Sequence, residues 1–393
     1  MLQILKSEKI PIKLWLKEIE PGALQQAKNL ANHPHAFSHI VILPDCHQGY
    51  GMPIGGVMAT KKVIIPNAVG VDIGCGMSAV RTSLAEINMS DVKHIMNEIR
   101  KLIPLGFKHH KRPQDPDLMP KLKSGDYMIS DLPVVSREYN SALCQLGTLG
   151  GGNHFIEIQK GSDGFIWIMV HSGSRNIGKQ VADYYNKLAN SLNIKWGFET
   201  LKKMQLAYLP LEIEEGRLYW LEMQYCVDFA FASRKLMIER IMVVFRNVYK
   251  GNISFAPLIN IAHNYASEEK HFDQNVIVHR KGATQAKKGQ TGIIPGSQGT
   301  QSYIVRGKGN AESYESCSHG AGRVMGRKQA QRVLDLKTEI ARLDKKSILH
   351  SIQTTRDLDE APSAYKDIGT VMKNQDDLVE IVVELSPLAV IKG

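Results

Sequence analysis

The chain has 393 residues, 43% hydrophobic and 22% charged, the composition of a soluble globular protein long enough to bury a substantial core. Its 49 lysines and arginines outnumber 39 acidic residues, and the net charge of +10 suits a polyanionic partner without requiring one. No apolar run reaches the roughly 18 residues of a membrane span and the N-terminus lacks a secretory apolar segment, so a cytoplasmic protein with no membrane partner is expected, while five scattered cysteines exclude a disulfide framework.

In chain order, His39 to Leu43 reads as a buried strand that runs into Pro44-Asp45-Cys46-His47-Gln48-Gly49-Tyr50-Gly51. Val63 to Pro66 and Ala68 to Val71 read as further short strands, the second ending in Asp72-Ile73-Gly74-Cys75-Gly76. Residues 87–104 have a helical pattern. Residues 108–135 carry His109, His110, Lys111 and Arg112 among prolines and read as a basic exposed loop. The apolar run Phe165 to Val170 has strand length and delivers His171 at its end.

From about 180 to 250 the pattern turns helical, with Leu218, Leu221, Tyr225, Phe229 and Ala232 at three-to-four spacing, which marks a core stripe. Short strands return near 253–263, 275–279 and 302–306, and a basic helix is expected from about Gly322 to Asp344. There is no internal repeat, low-complexity tract or linker. The expected architecture is α+β: one compact domain of mixed helices and strands over 1–393, with short strands carrying a site at their ends.

Asp72 and Cys75 lie three apart around a glycine turn that can aim both side chains at one centre. A carboxylate with a thiolate suits zinc, manganese or iron better than magnesium. His154 follows Gly150-Gly151-Gly152-Asn153, His171 ends its strand, and His263 sits between Ala262 and Asn264. Each alone is also the pattern of a hydrogen-bonded core histidine. Together with Asp72 and Cys75 they make five ligands, enough for two metals sharing the thiolate. His47, His109, His110, His271 and His279 lack this context and are left outside the set.

The run Ile294-Pro295-Gly296-Ser297-Gln298-Gly299-Thr300-Gln301-Ser302 offers backbone N–H groups and hydroxyls suited to a phosphate or a base edge. Neither a GxxxxGK[ST] loop nor a clean dinucleotide fingerprint is present. Ser316-Cys317-Ser318-His319-Gly320-Ala321-Gly322-Arg323 sets one imidazole in a loop of small residues, open to a bulky substrate. Arg175 follows His171 and Arg323 follows His319, and guanidinium groups beside a metal pair suggest phosphoryl or nucleotidyl transfer.

These segments together closely resemble the RtcB family of GTP-dependent RNA ligases. The resemblance is carried by PDCHQGYGMPIGG (44–56), VGVDIGCGM (69–77), LGTLGGGNHFIEI (146–158), HSGSRNIG (171–178), HNY (263–265), RKGA (280–283), IIPGSQGTQSYIVRG (293–307), SCSHGAGRVMGR (316–327), AYKDI (364–368) and the terminal Lys392-Gly393. It implies a ligase of the RtcB fold that joins RNA 3′-phosphate or 2′,3′-cyclic-phosphate ends to 5′-hydroxyl ends. GTP would be the co-substrate and two Mn²⁺ the cofactors.

His319 would be the nucleophile and carry GMP. Cys75 would bridge the metals, with Asp72, His171 and His263 on one and His154 on the other. The guanylate pocket carried over comprises Asn153, Phe155, Glu157, Asn264, Pro295, Gly296, Ser297, Gln298, Ser302, Gly320, Ala321, Gly322 and Lys392. Glu157 would read the guanine edge, and Arg175 and Arg323 would hold the RNA terminal phosphate. An activating protein of the archease type, which some members use, joins the candidate partners. Cys46 departs from the smaller or aliphatic residue usual between Asp45 and His47, and 108–135 is a variable region; neither touches a presumed ligand. The rival reading is a metal-dependent RNA cyclic phosphodiesterase, using the same metals with water as nucleophile.

Overall fold

A computed structural model describes residues 1–393. Its framework is two sheets. The first has six strands in the order Gln3–Leu5, Ile12–Leu14, Ala36–Tyr50, Met52–Thr60, Gln274–Lys281, Asn264–His271. Only the pair Ile12–Leu14 with Ala36–Tyr50 is parallel. The second has seven antiparallel strands in the order Ile259–Ala262, Gly76–Arg81, Ile166–Ser172, Phe155–Gly161, Val379–Lys392, Ser302–Gly307, Thr291–Ile294. The α+β expectation is met.

The continuous apolar run before His171 has a structural reason. Ile168 and Val170 face one way, onto the helices Met89–Leu102 and Glu214–Val248, in a cluster with Ile95, Ile156, Ile241 and Phe245. Trp167 and Met169 face the other way, into a cluster with Met77, Ile293, Ile304 and Leu358. A strand covered on both faces needs apolar residues at consecutive positions rather than at alternate ones.

The helical section resolves into Arg175–Lys195, Glu199–Lys203 and Glu214–Val248. Along the last of these Tyr225 and Phe229 are buried, and Leu218, Leu221 and Ala232 pack against the same cluster, so the stripe is core as expected. Glu214 and Glu215 occupy its first turn and Arg246 its last, which suits the helix dipole.

Two local expectations are corrected. Ala68 to Val71 is not a strand: Pro66 opens a short helix Pro66–Val69, because a proline supplies the first-turn φ and gives up a donor that needs no partner there. Gly70, at φ +97°, then turns the chain into the Asp72 loop. The basic helix from 322 to 344 is two helices, Arg327–Val333 and Leu336–Asp344. The second starts afresh because Asp335 caps it, its carboxylate accepting the Thr338 N–H at 2.9 Å.

Candidate active site

The five expected metal ligands converge where the two sheets meet. Ala262 ends a strand of the seven-stranded sheet and Asn264 begins one of the six-stranded sheet, so His263 stands at the seam. Its backbone N–H donates to the Cys75 carbonyl at 2.8 Å. Asp72 and Cys75 occupy the turn before Gly76–Arg81, closed by the Cys75 N–H donating to the Asp72 carbonyl at 3.1 Å. Gly74 adopts φ +72°, and a Cβ there would meet the Val227 backbone at 2.8 Å, so only glycine lets this turn sit against the long helix.

Ligand atoms group into two triads that share Cys75: Cys75, His171 and His263 in one, and Asp72, Cys75 and His154 in the other, all within 4.8 Å of one another in each. By that grouping Asp72 stands with His154 rather than with His171 and His263. Its Oδ2 is 3.1 Å from His154 Nε2, and the thiol sulfur is 3.2 Å from His171 Nε2 and 3.5 Å from His154 Nε2.

The donor set fits metal ions. His154 Nδ1 is 3.0 Å from the Leu149 carbonyl and His171 Nδ1 3.0 Å from the Asn153 carbonyl. Those bonds require Nδ1–H and leave Nε2 as a lone pair facing the centre. Burial and the neighbouring imidazoles push His171 and His263 well below the ordinary histidine value. His263 Nδ1 is buried with no hydrogen-bond partner in the protein. Burial opposes ionisation of Asp72, but the surrounding His154, Cys75 and His171 together hold it down to about 2. Burial and Asp72 push the Cys75 thiol well up, so a thiolate at this position calls for a bound cation.

His319 follows the short strand Ser316–Ser318, and its ring centroid is 4.8 Å from that of His263. Asp45 holds it twice: Oδ2 accepts the His319 backbone N–H at 3.0 Å and lies 2.6 Å from Nδ1. Asp45 is fully buried, and burial alone would raise its pKa, but the neighbouring His319 and the Lys366 ammonium hold it below the ordinary value. With Nδ1–H donated to Asp45, the lone pair is on Nε2. Gly322 makes the approach feasible, since a Cβ there would meet the Asp45 carbonyl oxygen at 2.1 Å.

One cavity of about 990 Å³ takes in both triads, His319, and Asn153, Phe155, Glu157, Asn264, Pro295 to Gln298, Gly320 to Arg323 and Lys392. Ser302 lies behind this wall, its Oγ accepting the Gly296 N–H at 3.2 Å. Asn264 is a brace: its amide donates to the Asp72 carbonyl at 3.1 Å and accepts from the Gly282 N–H at 2.7 Å. Burial raises Glu157 to about 8 despite Lys392 nearby.

The two expected phosphate arginines are differently placed. Arg175 is outside the cavity wall, behind the glycine turn, donating to Thr148 Oγ1 at 3.2 Å and the Gly106 carbonyl at 3.1 Å. Arg323 is in the wall but paired with Glu360 at 3.2 Å. Arg327 pairs with the same carboxylate at 3.1 Å, Lys392 lies 3.6 Å from it, and Tyr365 donates its hydroxyl to it.

Asp45, Arg234, Lys281 and Glu360 were not singled out from the sequence. Buried Arg234 donates to the carbonyls of Gly74 and Ser172 at 2.8 Å and of Ile261 at 3.1 Å, tying together three ligand-bearing segments. Nothing in the sequence set it apart from Asp228, Lys235, Glu239 and Arg240 on the same helix. Lys281, buried in the cavity wall, donates to the Asn67 carbonyl at 3.0 Å, and burial lowers it to about 7. His47 lines the cavity with Nδ1 3.0 Å from the Asp45 carbonyl, but it is in neither triad. His271 lies in a separate group with Glu269 and Glu315, where buried Arg280 already neutralises Glu269.

A carboxylate-held histidine beside two candidate ligand triads in a deep polar cavity is an arrangement suited to an enzyme of nucleotidyl or phosphoryl transfer. The family model for tRNA-splicing ligase RtcB matches residues 26–393. The RNA-splicing ligase RtcB of Escherichia coli strain K12 is 38% identical over 417 aligned positions, covering 100% of this chain and 99% of that protein. The tRNA-splicing ligase RtcB of Nanoarchaeum equitans is 33% identical, with 97% and 94% covered, and that of Thermococcus kodakarensis 30%, with 94% and 91% covered. The chain belongs to the RtcB family.

Proposed function

We propose that the protein is a GTP- and Mn²⁺-dependent RNA ligase that joins 3′-phosphate or 2′,3′-cyclic-phosphate ends to 5′-hydroxyl ends, in RNA repair or tRNA splicing. The observation that carries this is His319, whose Nδ1 is held by buried Asp45 while its ring packs against His263 of the thiol-centred triad.

His319 Nε2 attacks the α-phosphorus of GTP; the N–P bond forms as the α–β bridging bond breaks and pyrophosphate leaves. Asp45 keeps the proton on Nδ1 and stabilises the imidazole as it gains a bond, the role a triad carboxylate plays. An oxygen of the RNA 3′-phosphate then attacks the GMP phosphorus and releases His319. Finally the 5′-hydroxyl attacks the RNA 3′-phosphorus, the phosphodiester forms and GMP departs. A cyclic phosphate is first opened by water to the 3′-phosphate.

Asp72, Cys75, His154, His171 and His263 would hold two Mn²⁺, which when bound neutralise the triphosphate and fix it in line with the nucleophile. Phe155 and Glu157 line the region assigned to guanine, with ionised Glu157 accepting from its N–H edge. Arg323 and Arg327 supply cations for phosphate once Glu360 gives them up, while Lys392, over the Phe155 ring and beside Glu157, stays with the guanylate pocket. Arg175 orders the glycine turn before His154 and acts on phosphate only after a shift. The test is GTP labelled at the α-phosphate, incubated with Mn²⁺: the expected product is an acid-labile, hydroxylamine-stable adduct, absent from His319→Ala. Opening of a cyclic phosphate by His319→Ala without GTP, and no adduct on the native protein, would favour the phosphodiesterase.

A further inference from the structure

The loop that follows Met89–Leu102 contains the most exposed large hydrophobic side chain of the molecule. Phe107 is 96% exposed, against 70% for Tyr50, the next in order. Lys108, His109, His110, Lys111 and Arg112 follow directly, and no acidic residue appears until Asp115. Lys108, His109, Lys111 and Arg112 are all exposed. This is a lone aromatic among cations, not the contiguous apolar patch that marks a protein-docking face.

The loop is fastened to the active site. The Gly106 N–H donates to the Gly150 carbonyl at 3.1 Å, and the Leu149 N–H to the Pro104 carbonyl at 3.0 Å, on the turn that carries Asn153 and His154. Arg175 donates to the Gly106 carbonyl. A Cβ placed on Gly151, a cavity-wall residue, would lie 3.7 Å from Gly106 Cα. Further on, the His110 N–H donates to the Cys144 carbonyl at 2.9 Å, and His110 Nε2 lies 3.0 Å from Arg240. Both ends of the segment are therefore anchored, and Phe107 is held out at the cavity rim.

We infer that Phe107 is a stacking platform for an unpaired base of the RNA strand whose end enters the cavity, with Lys108, Lys111 and Arg112 on its backbone phosphates. The inference rests on the RNA-ligase reading and names where that substrate is held. A flat π-face ringed by cations is the arrangement that binds single strands without reading their sequence. Anchoring to the glycine turn couples the platform to the wall that positions His154.

Anisotropy of a labelled, unstructured RNA bearing a 3′-phosphate, titrated with Mn²⁺-loaded enzyme, tests this. Phe107→Ala is expected to weaken binding about tenfold, within the range of one base–aromatic stack, and Phe107→Trp to restore it. Changing Lys108, Lys111 and Arg112 together to Gln is expected to reduce the slope of log affinity against log salt by about 2. Adduct formation from GTP without RNA is expected to run at the native rate in Phe107→Ala. Native RNA affinity in Phe107→Ala, or an unchanged salt slope in the triple variant, would overturn the inference. So would native RNA binding with ligation impaired only when an activating protein is present, which would give the loop to a protein partner. Failure of the native enzyme to form the adduct would instead count against the ligase reading, since the binding measurement does not need the adduct.

Discussion

The two walls of the cavity are built on opposite electrostatic plans. On one side are Cys75, Asp72 and three histidines, where Nδ1 bonds to carbonyls fix the Nε2 lone pairs of His154 and His171. On the other, Glu360, itself only 4% exposed, gathers Arg323, Arg327 and Lys392. The first wall is a concentration of ligand electron pairs suited to cations. The second gathers three cations on one buried carboxylate. Under the proposed function, a nucleoside triphosphate with its metal ions would complete both.

The largest expected effect breaks the first wall. Cys75→Ala removes the atom common to both triads, so bound Mn²⁺, measured by atomic emission, should be lost at both sites, whereas His154→Ala should lose one. Equal losses in the two variants would refute a shared thiolate. Asp45→Asn leaves the shape but turns a donor toward Nδ1 and imposes the wrong tautomer; adduct formation is expected to slow by roughly 10⁴, the cost of that change in serine-protease triads.

Breaking the second wall is expected to cost less. Glu360→Gln leaves buried cations unpaired and should destabilise the protein by about 3 kcal/mol, the low end for a buried network because Arg327 is 49% exposed. Inorganic phosphate should then raise the melting temperature of Glu360→Gln more than that of the native protein. Burial would raise Glu360, but Lys392, Arg327 and Arg323 hold it below the ordinary value, so the stability it contributes is present at neutral pH and lost as pH falls through its folded-state pKa. Glu360→Gln should flatten that acid limb.

The smallest effect concerns Glu157, raised to about 8 by burial against the pull of Lys392 and Gln159. Its carboxylate must lose a proton before it can accept from guanine. GTP affinity is therefore expected to rise about tenfold per pH unit below that value and to level off above it. Glu157→Gln should abolish this dependence and the preference for GTP over ATP.

The candidate ligands were legible because Cys75, His154 and His263 stand at strand ends beside glycine or asparagine, Asp72 lies three before Cys75 in the same glycine turn, and His171 closes a strand covered on both faces. Their grouping into triads was not, since it depends on which imidazole nitrogen each carbonyl claims. Asp45 was hidden by distance: it meets His319 across 274 positions. Glu360 and Arg234 stand in stretches without a motif, and their meaning lies in the groups folding brings to them. The fold was legible in class and in its helical section. Secondary structure went astray where a single residue decides, at Pro66, which opens a helix, and at Asp335, which starts a second one.

The most direct measurement is intact mass after incubation with GTP and Mn²⁺. Native protein is expected to gain one GMP, located by fragmentation on His319, and His319→Ala to gain none. An unmodified native protein, or a GMP adduct that persists in His319→Ala, would contradict the histidine-borne intermediate.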